Sequence, residues 1–134
     1  MVVQLRKVLL PLRERVDARE VVAAISQIEG ESELTLFHVM KVPITTPLGV
    51  EMSAPGWLKE LAEELRSMGI PTKVVIAEAR DVADAIVEEA EEGKYDLIIM
   101  FKRKKRGLGK VMGKSISERV AEATRRPVMT ILRE

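Results

Sequence analysis

The sequence predicts a single α/β domain in three layers: a parallel five-stranded sheet with helices packed on both faces. Five short apolar runs alternate with four amphipathic stretches at helical spacing. The runs are aliphatic nearly throughout rather than alternately polar, as expected of strands buried on both faces. Strand and helix in strict succession require crossover connections, which a parallel sheet covered on both sides accommodates. The 134 residues suit one domain that buries about two-thirds of its unfolded surface. No internal repeat or linker divides them, so residues 1–134 are read as one unit.

The elements follow in order. Lys7–Leu12 (KVLLPL) is the first strand. Asp17 with Glu20 three residues later has the capping-box pattern, and Val21, Ile25 and Ile28 give the first helix its apolar side up to Gly30. Leu34–Met40 (LTLFHVM) is the second strand. The stretch from Val42 to Gly56 carries Pro43, Pro47 and Pro55 and reads as a long connection. Leu58, Leu61, Ala62, Leu65 and Met68 mark the second helix, ended by Gly69 and Pro71. Lys73–Glu78 (KVVIAE) is the third strand. Asp81 opens a helix with Val82, Ala83, Ile86, Val87 and Ala90 on one side, an acidic opposite face, and Gly93 as its stop. Asp96–Met100 (DLIIM) is the fourth strand. Ser115 with Glu118 repeats the capping-box pattern before the last helix, and Pro127–Leu132 (PVMTIL) is the fifth strand.

Composition narrows the function classes. The 22 basic and 21 acidic residues nearly cancel, so only a local patch can attract nucleic acid or a membrane surface. There is no cysteine, which excludes disulfides, thiol catalysis and thiolate-held metals. The N-terminal residues are too interrupted by Gln4, Arg6 and Lys7 for a membrane span or signal peptide. A cytoplasmic protein without membrane insertion is expected. Asn is absent and Gln occurs twice, while nearly a third of the chain is charged, a thermophile-like composition.

The local patch follows the fourth strand. Between Phe101 and Ser115 the chain carries seven basic side chains and no acid. A strand, a cationic loop containing glycines and a helix start form a place where an α/β protein holds an anion. The ending Gly113-Lys114-Ser115 invites comparison with a Walker A loop, but Leu108 stands where the first glycine belongs. The run KRKKR is also a possible nucleic-acid patch, yet only Phe101 offers an aromatic face and no reader motif is present. A third reading is a solvated loop, or one paired with the acidic face of the Asp81–Glu92 helix on the same or another subunit. His38 is read as a core residue and Trp57 as a pin for the preceding loop. Met68, Met100, Met112 and Met129 are read as core or interface filler.

Five segments in register resemble the universal stress protein family: VLLPL with its internal Pro11, LFHV, YDLIIM, GKSISERV and the terminal RRPVMTIL. The resemblance covers essentially the whole chain. It implies the Rossmann-like fold of the adenine nucleotide alpha hydrolases with strand order 3-2-1-4-5, a stress-response role, and a homodimer paired along the last strand. Val128, Met129, Thr130, Ile131 and Leu132 are then the candidate dimer edge, which pairing would also protect from exposure. In ATP-binding members an Asp follows the proline by two positions, and the triphosphate lies on a loop G-x-x-G, nine residues, then G-[S/T]. Anchored at Met100, that pattern places Phe101, Lys104 and Lys114 at the three glycines, Ser115 at the final position and Arg13 at the Asp, with Gly113 one place early. Arg13, Val39, Phe101, Lys102, Lys104, Gly113, Lys114 and Ser115 are therefore the candidate nucleotide- or anion-binding residues.

Losing the glycines removes the close backbone approach to phosphate, and Arg13 reverses the charge facing a ribose. The expectation is a non-enzymatic binding or regulatory protein with a degenerate ATP motif and no cofactor. The alternatives are a member that binds ATP, AMP or another phosphate anion through lysines, with slow hydrolysis open, and a nucleic-acid-associated protein.

Overall fold

The computed structural model describes residues 5–45, 53–104 and 114–133. Its nine elements are β1 (Arg6–Pro11), α1 (Ala18–Ile25), β2 (Ser32–Lys41), α2 (Gly56–Ser67), β3 (Thr72–Ala79), α3 (Val82–Glu92), β4 (Leu97–Arg103), α4 (Ile116–Ala123) and β5 (Val128–Arg133). The five strands form one parallel sheet in the order β3-β2-β1-β4-β5. This is the fold class and strand order expected.

The aliphatic runs explain the layering. On one face Val8, Leu10, Leu34, Leu36 and Ile99 pack against Val21 and Ala24 of α1 and Leu58, Leu61 and Leu65 of α2. On the other, Leu9, Phe37, Ile98 and Met100 meet Ala83, Ile86 and Ala90 of α3 and Val120 of α4. Successive strand residues thus serve opposite cores. Among the described residues no helix is long and apolar enough to cross a membrane.

Strand lengths create the feature that matters for function. β1 pairs with β2 along its whole length, but with β4 only at Val8–Leu97 and Leu9–Ile98. β2 and β3 continue together to Lys41–Ala79, and β4 and β5 to Arg103–Arg133. Two strand ribbons therefore overrun the end of β1 and flank a crevice at the point where the strand order reverses.

Several expectations need correcting. β4 does not stop at Met100: Phe101, Lys102 and Arg103 are strand residues paired with Ile131, Leu132 and Arg133. The basic run hid this because Lys and Arg at a strand end keep their charges in water while their backbone pairs. Met68 is half-exposed at the end of α2 rather than a core filler, whereas Met100 is buried and Met129 packs on the α1–α2 core. Met112 lies outside the described residues. α3 does stop at Gly93, as expected. Gly93 is right-handed, and Lys94 takes the positive φ of 54°. Gly93 is needed for space, since a Cβ there would lie 2.3 Å from the Tyr95 ring.

Candidate functional site

The wall of the crevice begins where β1 ends. The Leu12 N–H donates to the Phe37 carbonyl, and its own carbonyl lies 2.8 Å from His38 Nδ1. His38 in turn meets Trp57 edge to face at 5.7 Å. His38 is thus a part-buried strut between β2, the β1 end and α2, a structural role as expected. Trp57 packs on the α1–α2 core, and residues 46–52 of the loop it was expected to pin lie outside the described residues. Asp17 and Glu20 form the full capping box that starts α1, so the path of residues 12–17 is held at both ends.

Glu14 lies on this path. Its Oε1 accepts from Arg103 Nε at 2.8 Å and from Arg133 Nη1 at 3.3 Å. Arg133 Nε also donates to Glu20 Oε1 at 3.2 Å. One chain of ion pairs therefore ties the loop after β1 to the ends of β4 and β5 and to the first turn of α1. The Arg103 hydrogen bond, chief among the causes, holds the Glu14 carboxyl below its usual range, and the same contact raises Arg103. Arg13, by contrast, is exposed. The acid sought two residues after Pro11 is absent, and the acid one place later is committed to arginines.

The start of α4 is likewise supplied from within. Ser115 is the N-cap: its Oγ accepts from the Glu118 N–H at 3.2 Å and lies 3.1 Å from Glu118 Oε1 and 3.1 Å from Ser117 Oγ. Lys102 Nζ reaches the same Glu118 oxygen at 3.2 Å, and Lys114 Nζ reaches Glu122 Oε2 at 2.6 Å. A negative charge is favoured at a helix N-terminus, and here Glu118 provides it.

The sheet separates some of the candidate residues. Phe101 turns its ring into the α1–α2 core, while Val39 packs on the α3–α4 side, which α4 also covers. Phe101 therefore lies on the opposite face of the sheet from the core that Ile116 and Val120 of α4 join. Lys102 and Ser115 are brought together through Glu118. The Lys104 N–H extends the ladder to the Arg133 carbonyl at 2.7 Å, and its side chain is exposed. Gly113 lies outside the described residues.

One reading left open by the sequence pairs the basic loop with the acidic face of α3 on the same or another subunit. Residues 105–113 lie outside the described residues, and the three basic residues seen paired beside them use other acids of the chain. Lys102, Arg103 and Lys114 pair with Glu118, Glu14 and Glu122. The α3 carboxylates instead bind α4 and its exit. Asp81 caps α3 and takes Arg119 Nη2 at 2.9 Å, while Glu91 accepts from the Arg125 N–H at 2.7 Å and Thr124 Oγ1 at 2.8 Å. Backbone N–H groups are the largest cause lowering both carboxyls, with Arg119 adding at Asp81 and Thr124 at Glu91.

At the sheet edge, Val128 packs on the α3–α4 core, and Met129 and Ile131 on the α1–α2 core. Thr130 and Leu132 are exposed. Among the described residues no cluster of His, Asp or Glu is arranged to hold a metal ion. Sequence reasoning missed Glu14, Arg103 and Arg133 as a unit. The one available signal was an acid a single place beyond the position inspected.

With this geometry in view, residues 4–131 match the sequence model of the universal stress protein family. No curated protein matches the chain. Among solved structures, a universal stress protein from Archaeoglobus fulgidus is 17% identical, with 93% of this chain and 97% of that chain covered at a TM-score of 0.69. The Archaeoglobus fulgidus universal stress protein in complex with dAMP is 16% identical, with 96% and 98% covered at 0.65. A universal stress protein family protein from Arabidopsis thaliana with AMP bound is 18% identical, with 96% and 92% covered at 0.62. At these identities the likeness establishes the fold.

Proposed function

The chain belongs to the universal stress protein family, and from that premise we propose that it is a non-enzymatic binding or regulatory member that does not take ATP in the family's manner. One observation carries this reading. Where the family resemblance puts phosphate, at the start of α4, Glu118 already sits beside Ser115 and is paired with Lys102. A triphosphate arriving there meets a carboxylate of its own sign, and the glycine positions that would bring backbone N–H groups close are Phe101, Lys104 and Lys114. Solved relatives hold dAMP and AMP, so adenine nucleotides are the first ligands to test. The protein acts in the cytoplasm, as a homodimer joined along β5.

A second reading has its own support. Lys102 and Lys114 flank the α4 start, and Lys104 stands at the exit from β4. These cations suit a small phosphate-type anion bound by charge rather than by backbone.

Thermal stabilisation separates the readings. The full chain is heated with ATP, AMP, inorganic polyphosphate and short duplex DNA at two salt concentrations. A ligand present at 1,000 times its dissociation constant stabilises by about 4 kcal/mol, which is readily seen. The proposal expects no shift with ATP or AMP. An ATP shift that disappears in Lys102→Ala and Lys114→Ala overturns it. A shift with polyphosphate alone supports the small-anion reading, and binding to DNA that collapses at higher salt indicates a nucleic-acid partner.

A further inference from the structure

We infer that Arg103 and Arg133 form an oxyanion subsite for a free or terminal phosphate group, with the Glu14 carboxylate as its internal gate. The inference takes only the ligand class, a small phosphate-type anion, from the second reading above, and replaces its lysines at the α4 start by this arginine pair on the α1 side of the crevice.

Two guanidinium groups from paired strand ends converge on one oxygen, Glu14 Oε1, at 2.8 and 3.3 Å. Each guanidinium gives one N–H to this oxygen, and guanidinium N–H groups hold phosphate oxygens by the same charge-assisted bond. Glu14 Oε1 therefore marks an oxyanion position, with the side chain standing in for a ligand.

The two sides of this contact are unequally fixed. Arg133 has a side chain only 19% exposed, and Glu20 holds its Nε, which sets the direction of Nη1. Glu14 is 46% exposed on the loop after β1, so it can rotate into solvent without unpacking a core. With Glu14 in place its carboxylate faces Arg103, Arg133 and Arg13. With Glu14 turned out, one negative charge leaves a neighbourhood that also holds Arg15 and Arg19 with Asp17, Glu20 and Glu64.

Beside the Glu14 contact, Arg133 also lines a cleft of about 710 Å³ whose charged walls are Arg15 and Arg19 with Asp17, Glu20 and Glu64. Clefts of roughly 300–1,000 Å³ accommodate small molecules. A phosphate carries more charge and more acceptor oxygens than the carboxylate it displaces. Displacing Glu14 gives up its contacts to Arg103 and Arg133, so wild-type protein is a weak binder and neutralising Glu14 opens the site.

The test is calorimetric titration of the full chain with inorganic pyrophosphate at low ionic strength. Glu14→Gln is expected to bind at least about tenfold more tightly than wild type, because a like charge a few ångströms away is removed. Adding Arg133→Met to Glu14→Gln should abolish the gain. Adding Arg103→Lys, which keeps the charge on an exposed side chain but loses the fork, should remove most of it and serves if the Arg133 variant does not fold. Glu122→Gln, which frees Lys114 at the α4 start, should leave affinity unchanged. No gain in Glu14→Gln, a gain that survives both arginine changes, or an equal gain in Glu122→Gln overturns the inference. None of these outcomes bears on whether wild-type protein binds ATP.

Discussion

Individual side chains in this protein carry roles that their residue type alone does not announce. Gly93 is an example, since its conformation is open to any residue but its position against the Tyr95 ring is not. Gly93→Ala should force the buried Tyr95 or the α3 end to move and destabilise the fold by about 1–3 kcal/mol, measured by urea unfolding. Glu14 sets an acid limit. Its carboxyl is held below the ordinary 4.5 chiefly by Arg103, so its contribution to stability is present above the unfolded value and is lost as pH falls through the folded one. Asp17, Asp81 and Glu91 shift in the same direction. The melting temperature should therefore decline below pH 4.5, and Glu14→Gln should show a shallower decline than wild type. An identical pH profile in that variant would show that the Arg103 contact contributes nothing. Glu14 was invisible as a partner in the sequence because its contacts lie 89 and 119 positions away.

At the scale of elements, local signals were legible wherever the physics was local. Asp17, Asp81 and Ser115 all cap helices as their spacing indicated, because an N-cap needs only its own first turn. The β4 end was not legible: the strand runs on through Phe101, Lys102 and Arg103 only because β5 supplies partners. β5 itself raises the question of the dimer. Leu132 is 57% exposed on this outer strand, and pairing with a second copy would cover it. Leu132→Glu changes little within one chain, as expected of a surface position away from caps and core. In sedimentation equilibrium the wild type should run as a dimer and Leu132→Glu as a monomer with unchanged far-ultraviolet circular dichroism. A dimer that survives this change would place the interface elsewhere, and a monomeric wild type would remove it.

For the molecule as a whole, the fold could be read from five aliphatic runs because burial on both faces leaves so little freedom in their composition. The site could not be read in the same way. Its candidates were placed by analogy with a loop, whereas the sheet sends Phe101 to one face and α4 to the other. What unites the crevice is charge: Arg103 and Arg133 close on Glu14, Lys102 on Glu118 and Lys114 on Glu122. Under the proposed function, Glu118 occupies the anion position at the start of α4 and keeps ATP out. Equilibrium dialysis of the full chain against labelled ATP at low salt tests it most directly. Less than about a tenth of the chains should be occupied at 1 mM ATP, corresponding to a dissociation constant of roughly 10 mM or weaker. One ATP per chain with a constant near or below about 10 µM, lost in Lys102→Ala/Lys114→Ala, would contradict it.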